Sequence, residues 1–146
     1  SKLSLENVSE GIAYDVEKGT SVGPFDIQFL KTVHPVICYA MRIVEKATGQ
    51  VLIYTGDTGY FAELVDFSKD ADILLADVYF FKDKAKMPNH LSSVEAGEIA
   101  AQANVKKLIL THLPQVGDLQ VLREEAQEAA GNILVDLAQP HMKWTV

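Results

Sequence analysis

The sequence predicts an α/β fold in which an antiparallel hairpin layer comes first and alternating helices and strands follow. Three observations carry this reading. The front half holds runs of loose apolar/polar alternation separated by the turn clusters Gly23-Pro24 and Ala47-Thr48-Gly49-Gln50. The middle holds a continuous apolar run, Val51-Leu52-Ile53-Tyr54, that ends in Gly56-Asp57-Thr58-Gly59 and can be buried on both faces. The back half alternates amphipathic stretches with further short apolar runs.

Taken in order, residues 11–16 read as a short strand and Lys18-Gly19-Thr20 as a turn. Phe25-Asp26-Ile27-Gln28-Phe29-Leu30 follows Gly23-Pro24 as a half-exposed strand and leads to His34-Pro35. Residues 38–44 form its hairpin partner, and the turn at residues 47–50 returns the chain to the strand at Val51. After Asp57 the periodicity changes: Phe61, Leu64, Val65 and Phe67 suit one face of a helix over residues 60–67, and residues 73–76 form a buried strand. A Lys-rich loop of roughly a dozen residues then runs to Met87-Pro88-Asn89-His90, a length that is uncommon inside a domain and often functional. Ser92 and Glu95 have the spacing of a capping box, opening a helix through Val94, Ile99 and Ala103 that stops at Asn104. Lys107–Thr111 is a strand, Asp118 caps a helix over Leu119–Ala130, and Gly131-Asn132 ends it. Ile133-Leu134-Val135 is a last inner strand, and residues 142–146 a terminal one. With no internal repeat and no low-complexity linker, residues 1–146 read as a single domain.

Composition narrows the function classes. The chain is 48% hydrophobic, enough for a core, and its net charge of −7 argues against a sequence-independent grip on nucleic acid, which needs clustered cations. Lys82, Lys84 and Lys86 make the one local basic cluster of note. A single cysteine, Cys38, allows no intrachain disulfide and no Cys-based zinc site, so a reducing cytoplasm is the expected setting. No apolar run approaches the roughly 20 residues of a membrane span.

The candidates for chemistry are Asp57, His112, His90 and His34, with Asp77 and His141 behind them. Asp57 follows a buried strand, at the edge of an α/β sheet where ligands collect, and a carboxylate there can bridge two metals; capping the next helix is an equal alternative. His112 ends the Lys107–Thr111 strand as either a metal ligand or a hydrogen-bonded structural residue. His90 stands just before a helix start, where it can serve an anionic group or be a solvated loop residue. His34-Pro35 suits a buried hydrogen-bonding histidine, and His141 carries no signal. Asp77 closes the strand begun at Ile73 and is either an orienting partner for a histidine or a turn residue. There is no Gly-x-Ser-x-Gly elbow and no glycine-rich phosphate loop, which disfavours a serine hydrolase and a nucleotide cradle.

The ordered set of Tyr54-Thr55-Gly56-Asp57-Thr58, Ala71-Asp72-Ile73-Leu74-Leu75-Ala76-Asp77, His90-Leu91-Ser92 with Glu95-Ala96-Gly97, and Leu108-Ile109-Leu110-Thr111-His112 resembles the C-terminal half of a metallo-β-lactamase-fold hydrolase of the ribonuclease Z-like branch. His34-Pro35 followed by Tyr39-Ala40-Met41-Arg42-Ile43 resembles the strand pair that precedes the aspartate. The resemblance implies half of a four-layer αββα sandwich, with Asp57 as the carboxylate bridging two zinc ions, His112 as a terminal metal ligand and His90 as the histidine that assists phosphodiester cleavage. Where that branch commonly has Glu, this chain has Asp77. The family's His-x-His-x-Asp-His signature does not occur in these 146 residues. The expectation is therefore an incomplete fragment that binds metal weakly by itself, from a hydrolase of small esters, phosphodiesters or RNA. The alternative is a non-catalytic α/β module that associates, for instance as a homo-oligomer, through an exposed sheet surface.

Overall fold

The computed structural model describes residues 11–145. Turns at residues 23–24 and 46–48 fold the front of the chain into a meander of β1 (Thr20–Val22), β2 (Phe25–Lys31), β3 (Tyr39–Glu45) and β4 (Val51–Tyr54), all antiparallel. From β4 the sheet continues in parallel through β5 (Ile73–Phe80), β7 (Lys107–Thr111) and β8 (Leu134–Leu137), while the two-residue β6 (Leu91–Ser92) lies beside the end of β5. The strand order is β1-β2-β3-β4-β5-β7-β8. Three α-helices connect the parallel part: α1 (Glu63–Phe67), α2 (Ser93–Ala103) and α3 (Leu119–Ala130). Among the described residues no helix is long and apolar enough to cross a membrane.

Alternation along the strands divides the sheet into two faces. Ile53, Leu74, Ala76, Val78, Leu108, Leu110 and Val135 join Ala96, Ile99, Ala100, Leu122 and Ala126 in one buried core. Small residues let α2 and α3 approach closely; a Cβ on Gly97 would lie 2.4 Å from the Ala126 carbonyl oxygen and 2.7 Å from the Ala129 Cβ. The other face is absent from that core. Cross-strand register aligns two apolar rows on it, Ile27–Ile43–Leu52–Ile73 and Phe29–Met41–Tyr54–Leu75–Ile109. Hollows of about 430 and 450 Å³ interrupt this face, the first bounded by Tyr14, Phe29 and Met41, the second by Phe25, Ile43 and Leu52.

The helix boundaries follow local chemistry. Ser92 and Glu95 form the expected capping box, and Asn104 ends α2 in the left-handed conformation at φ 53°. Asp118 accepts from the Gln120 N–H at the start of α3, which ends at Gly131. Other expectations are corrected. Residues 11–16 are not a strand, because the Asp15 carboxylate captures the N–H groups of Glu17 and Lys18 and turns the chain. The helix expected over residues 60–67 begins only at Glu63, since the Gly59 N–H is committed to the Val33 carbonyl and the Thr58 N–H to Asp77. The strand expected over residues 73–76 continues to Phe80, because β6 supplies pairing partners beyond Ala76. Asp77 therefore lies within that strand and does not close it. No terminal strand forms over residues 142–145; the chain turns at His141, φ 63°, with the Met142 N–H bonded to the Gln139 carbonyl. Val146 lies outside the described residues.

Candidate metal centre

Four side chains meet where β4 and β7 end, beside Asp77 within β5 and ahead of β6. Asp57, Asp77, His90 and His112 each offer one donor atom, and these atoms all lie within 4.8 Å of one another.

Each arrives by a separate local device. Past β4, Gly56 takes φ 59°, and a Cβ there would lie 2.9 Å from the Tyr39 carbonyl oxygen, so the turn into Asp57 requires glycine. Thr32 Oγ1 donates to the Asp57 carbonyl at 2.9 Å and fixes the turn from the β2 side. Asp57 stands six residues before α1, whose N-cap makes no side-chain bond, so the helix-cap alternative is overturned. His112 directly follows β7 with φ 53°, the left-handed region that costs a non-glycine residue about 1 kcal/mol or more and that clusters at functional positions. His90 ends the Lys-rich loop. That loop is pinned near its start and at its middle by helix carboxylates: Glu125 accepts from the Lys82 N–H at 3.0 Å and Glu95 from the Lys86 N–H at 2.8 Å. Its carbonyls at Met87 and Pro88 lie against Gly59, where a Cβ would come within about 3 Å of them.

Asp77 joins the parts. Its side chain is 1% exposed, and its carboxylate accepts from the Thr58 N–H at 3.0 Å, from His90 Nδ1 at 2.7 Å and from His112 Nδ1 at 2.9 Å. An ionised carboxylate only accepts, so both imidazoles must donate through Nδ1, leaving Nε2 of each with its lone pair or an extra proton. Asp77 thus meets the expectation of an orienting partner, and for two histidines at once. The Asp57 carboxylate, 41% exposed, stands 3.6 Å from His112 Nδ1, too long for a good hydrogen bond, and keeps its lone pairs available. Nitrogen and oxygen donors of this kind match what zinc takes from proteins, and Asp77 orients the two imidazoles as carboxylates do around metal-binding histidines.

His34 sits at the margin. Its ring centroid is 5.5 Å from that of His90, and its Nδ1 accepts from the Val36 N–H at 3.3 Å, with Cys38 Sγ at 3.7 Å. His141 is exposed and outside the cluster. Two aromatic residues belong to the site that the sequence reading did not single out. Tyr79 is 38% exposed and its ring lies 5.5 Å from both His90 and His112. Its signal was the spacing of two from Asp77 along one strand, which places both on one face. Tyr54 is half-buried; burial, then the charges of Asp57 and Asp77, push its phenol above the ordinary value of 10.0, so it stays neutral.

Residues 7–113 match the family of the beta-lactamase superfamily domain. Over 144 residues the chain is 41% identical to a probable metallo-hydrolase, YhfI, of Bacillus subtilis, covering 98% of this chain and 58% of the relative. It is 39% identical over 100 residues to a ribonuclease Z of Archaeoglobus fulgidus, which corresponds to 65% of this chain and 33% of that one. The crystal structure of the metallo-β-lactamase fold protein YhfI from Bacillus subtilis superposes with a TM-score of 0.87 at 39% identity, over 92% of this chain and 55% of that chain. Human tRNase Z, short form, shares the fold at a TM-score of 0.63 and 23% identity, over 84% of this chain and 44% of that chain. The chain thus spans a little over half the length of YhfI. On family match, identity and superposition together, it belongs to the beta-lactamase superfamily domain family and has the metallo-β-lactamase fold.

Proposed function

We propose that this chain contributes one wall of the active site of a metal-dependent hydrolase that cleaves a phosphodiester or related ester. The observation that carries the reading is the convergence of Asp57, Asp77, His90 and His112 at one sheet edge. Asp57, through its carboxylate, and His112, through Nε2, are the residues that would hold metal. Bound divalent ions, two zinc ions in the complete site, would act as Lewis acids and lower the pKa of a water. Within this chain Asp77 fixes the His90 ring through Nδ1, so Nε2 is the atom left to face the departing oxygen. Asp77 fixes His112 in the same way, and Thr58 N–H holds Asp77 in place. Two ligands from this chain are fewer than the three or four of a stable zinc site. The remaining ligands are proposed to come from a His-x-His-x-Asp-His segment, packed so that its layer covers the apolar rows beside Tyr54 and Leu75.

A net charge of −7 favours a small diester over a long RNA footprint, with the exposed Lys82, Lys84 and Lys86 as a basic contact for a longer substrate. The apolar rows support a second reading, association of a non-catalytic module through its sheet face. The two part in one experiment: hydrolysis of bis(p-nitrophenyl) phosphate is followed with zinc, in the protein extended by the His-x-His-x-Asp-His segment, beside Asp57→Ala. Zinc-dependent turnover that Asp57→Ala abolishes supports the hydrolase. No turnover, with concentration-dependent association in sedimentation, would leave the module.

A further inference from the structure

Tyr79 belongs to two features at once. Its ring lies tilted at 46° to the imidazoles of His90 and His112, each at a centroid distance of 5.5 Å. It also lines an adjoining groove of about 340 Å³ with Phe80, Phe81, Pro114 and Val116, whose rim carries one charge of each sign, Lys84 and Asp83. Phe80 stands edge-on to Tyr79 at 5.3 Å and 87°. A backbone requirement shapes the groove: Gly117 has φ 108°, which favours glycine, and a Cβ there would come within 2.6 Å of the Phe81 ring, so a side chain at this position strains the loop after β7 and displaces Phe81. A partly exposed aromatic ring beside reactive side chains, backed by an apolar groove of balanced charge, recognises planar shape and π-surface and not net charge.

We infer that Tyr79 is a substrate-positioning residue, and that the groove behind it seats an aryl or heteroaryl portion of the ester while the scissile group lies toward His90 and His112. The assignment rests on the hydrolase reading and narrows its substrate class to esters carrying a planar ring within one residue's reach of the reacting centre. Stacking on one exposed ring strengthens binding about five- to tenfold or more over a saturated group.

The test is binding of phenyl phosphate and methyl phosphate to the metal-free 146-residue chain, followed by NMR shifts of the Tyr79 and Phe81 neighbourhood. Phenyl phosphate is expected to bind about tenfold more tightly. Tyr79→Leu, which keeps apolar bulk at a partly exposed position, is expected to erase that preference, and Tyr79→Phe to restore it. Gly117→Ala, which pushes on Phe81 without touching the histidines, is expected to weaken phenyl phosphate alone. Equal binding of the two probes, or a preference that survives Tyr79→Leu, overturns the assignment. Because the readout needs neither metal nor turnover, its failure is distinct from a failure of zinc-dependent hydrolysis in the extended protein.

Discussion

The Asp77 carboxylate accepts a hydrogen bond from His90 Nδ1 at 2.7 Å from within the sheet, where it is 1% exposed. The same carboxylate holds His112 and the Thr58 N–H, so one buried group sets the orientation of two imidazoles and the turn that carries Asp57. Asp77→Asn keeps the shape but places an NH₂ where at least one acceptor is needed. Zinc affinity of the extended protein, measured by competition with a chromophoric chelator, is expected to fall about 10–100-fold. An unchanged affinity would show that the histidines need no such partner.

Gly97 offers a test of helix packing whose sign is informative. In an open helix Gly→Ala stabilises by about 1 kcal/mol through propensity. Here the added methyl would meet the Ala126 carbonyl at 2.4 Å, and overpacking costs about 1–3 kcal/mol. Gly97→Ala is expected to lower the urea midpoint; a raised midpoint would mean that α2 and α3 can separate freely.

Asp72 anchors the start of β5 from its side chain, accepting from Lys106 Nζ and from the Val51 N–H at 2.7 Å. The hydrogen bond from Lys106, then that from Val51, hold its carboxyl below the ordinary value of 3.8, against the opposing effect of burial. A depressed folded value means that the stabilisation is fully present above the unfolded carboxyl range and is lost as pH falls through the folded value. Asp72→Asn is therefore expected to cost about 1–2 kcal/mol at pH 7. The gap to the unsubstituted protein should narrow below about pH 4. Denaturant melts at both pH values check this, and a gap that stays constant would remove the ionised carboxylate from the account.

Ser92 couples helix capping to the loop that delivers His90. Its Oγ accepts from the Glu95 N–H, and Glu95 in turn bonds the Ser92 and Lys86 N–H groups. Ser92→Ala is expected to destabilise by about 1 kcal/mol. Glu95→Ala removes the anchor of Lys86 as well, so hydrogen exchange should quicken through residues 86–90 in that variant and much less in Ser92→Ala. Equal exchange in both would sever the loop from the cap.

Local signals made much of this protein legible before its structure was described. The capping box at Ser92 and Glu95, the stops at Asn104 and Gly131 and the strand Lys107–Thr111 depend on side chains and backbone within a few residues, so each appears where the pattern puts it. The ends of α1 and β5 were not legible, because they are decided by partners far along the chain: Val33 and Asp77 for the turn before α1, and Leu91 and Ser92 for the extension of β5. Asp57, His90 and His112 were recognisable as candidates from residue type at the ends of apolar runs and from their order. Their meeting, and the place of Asp77 and Tyr79 among them, came from the parallel register that sets Asp77 beside Thr111 and from the pinned loop that returns His90 to β5. Residue type and short-range period determine which element forms and which groups are chemically able. Only the long-range pairing decides which of those groups share a few ångströms, because that distance is set by how strands align in space and not by their separation along the chain.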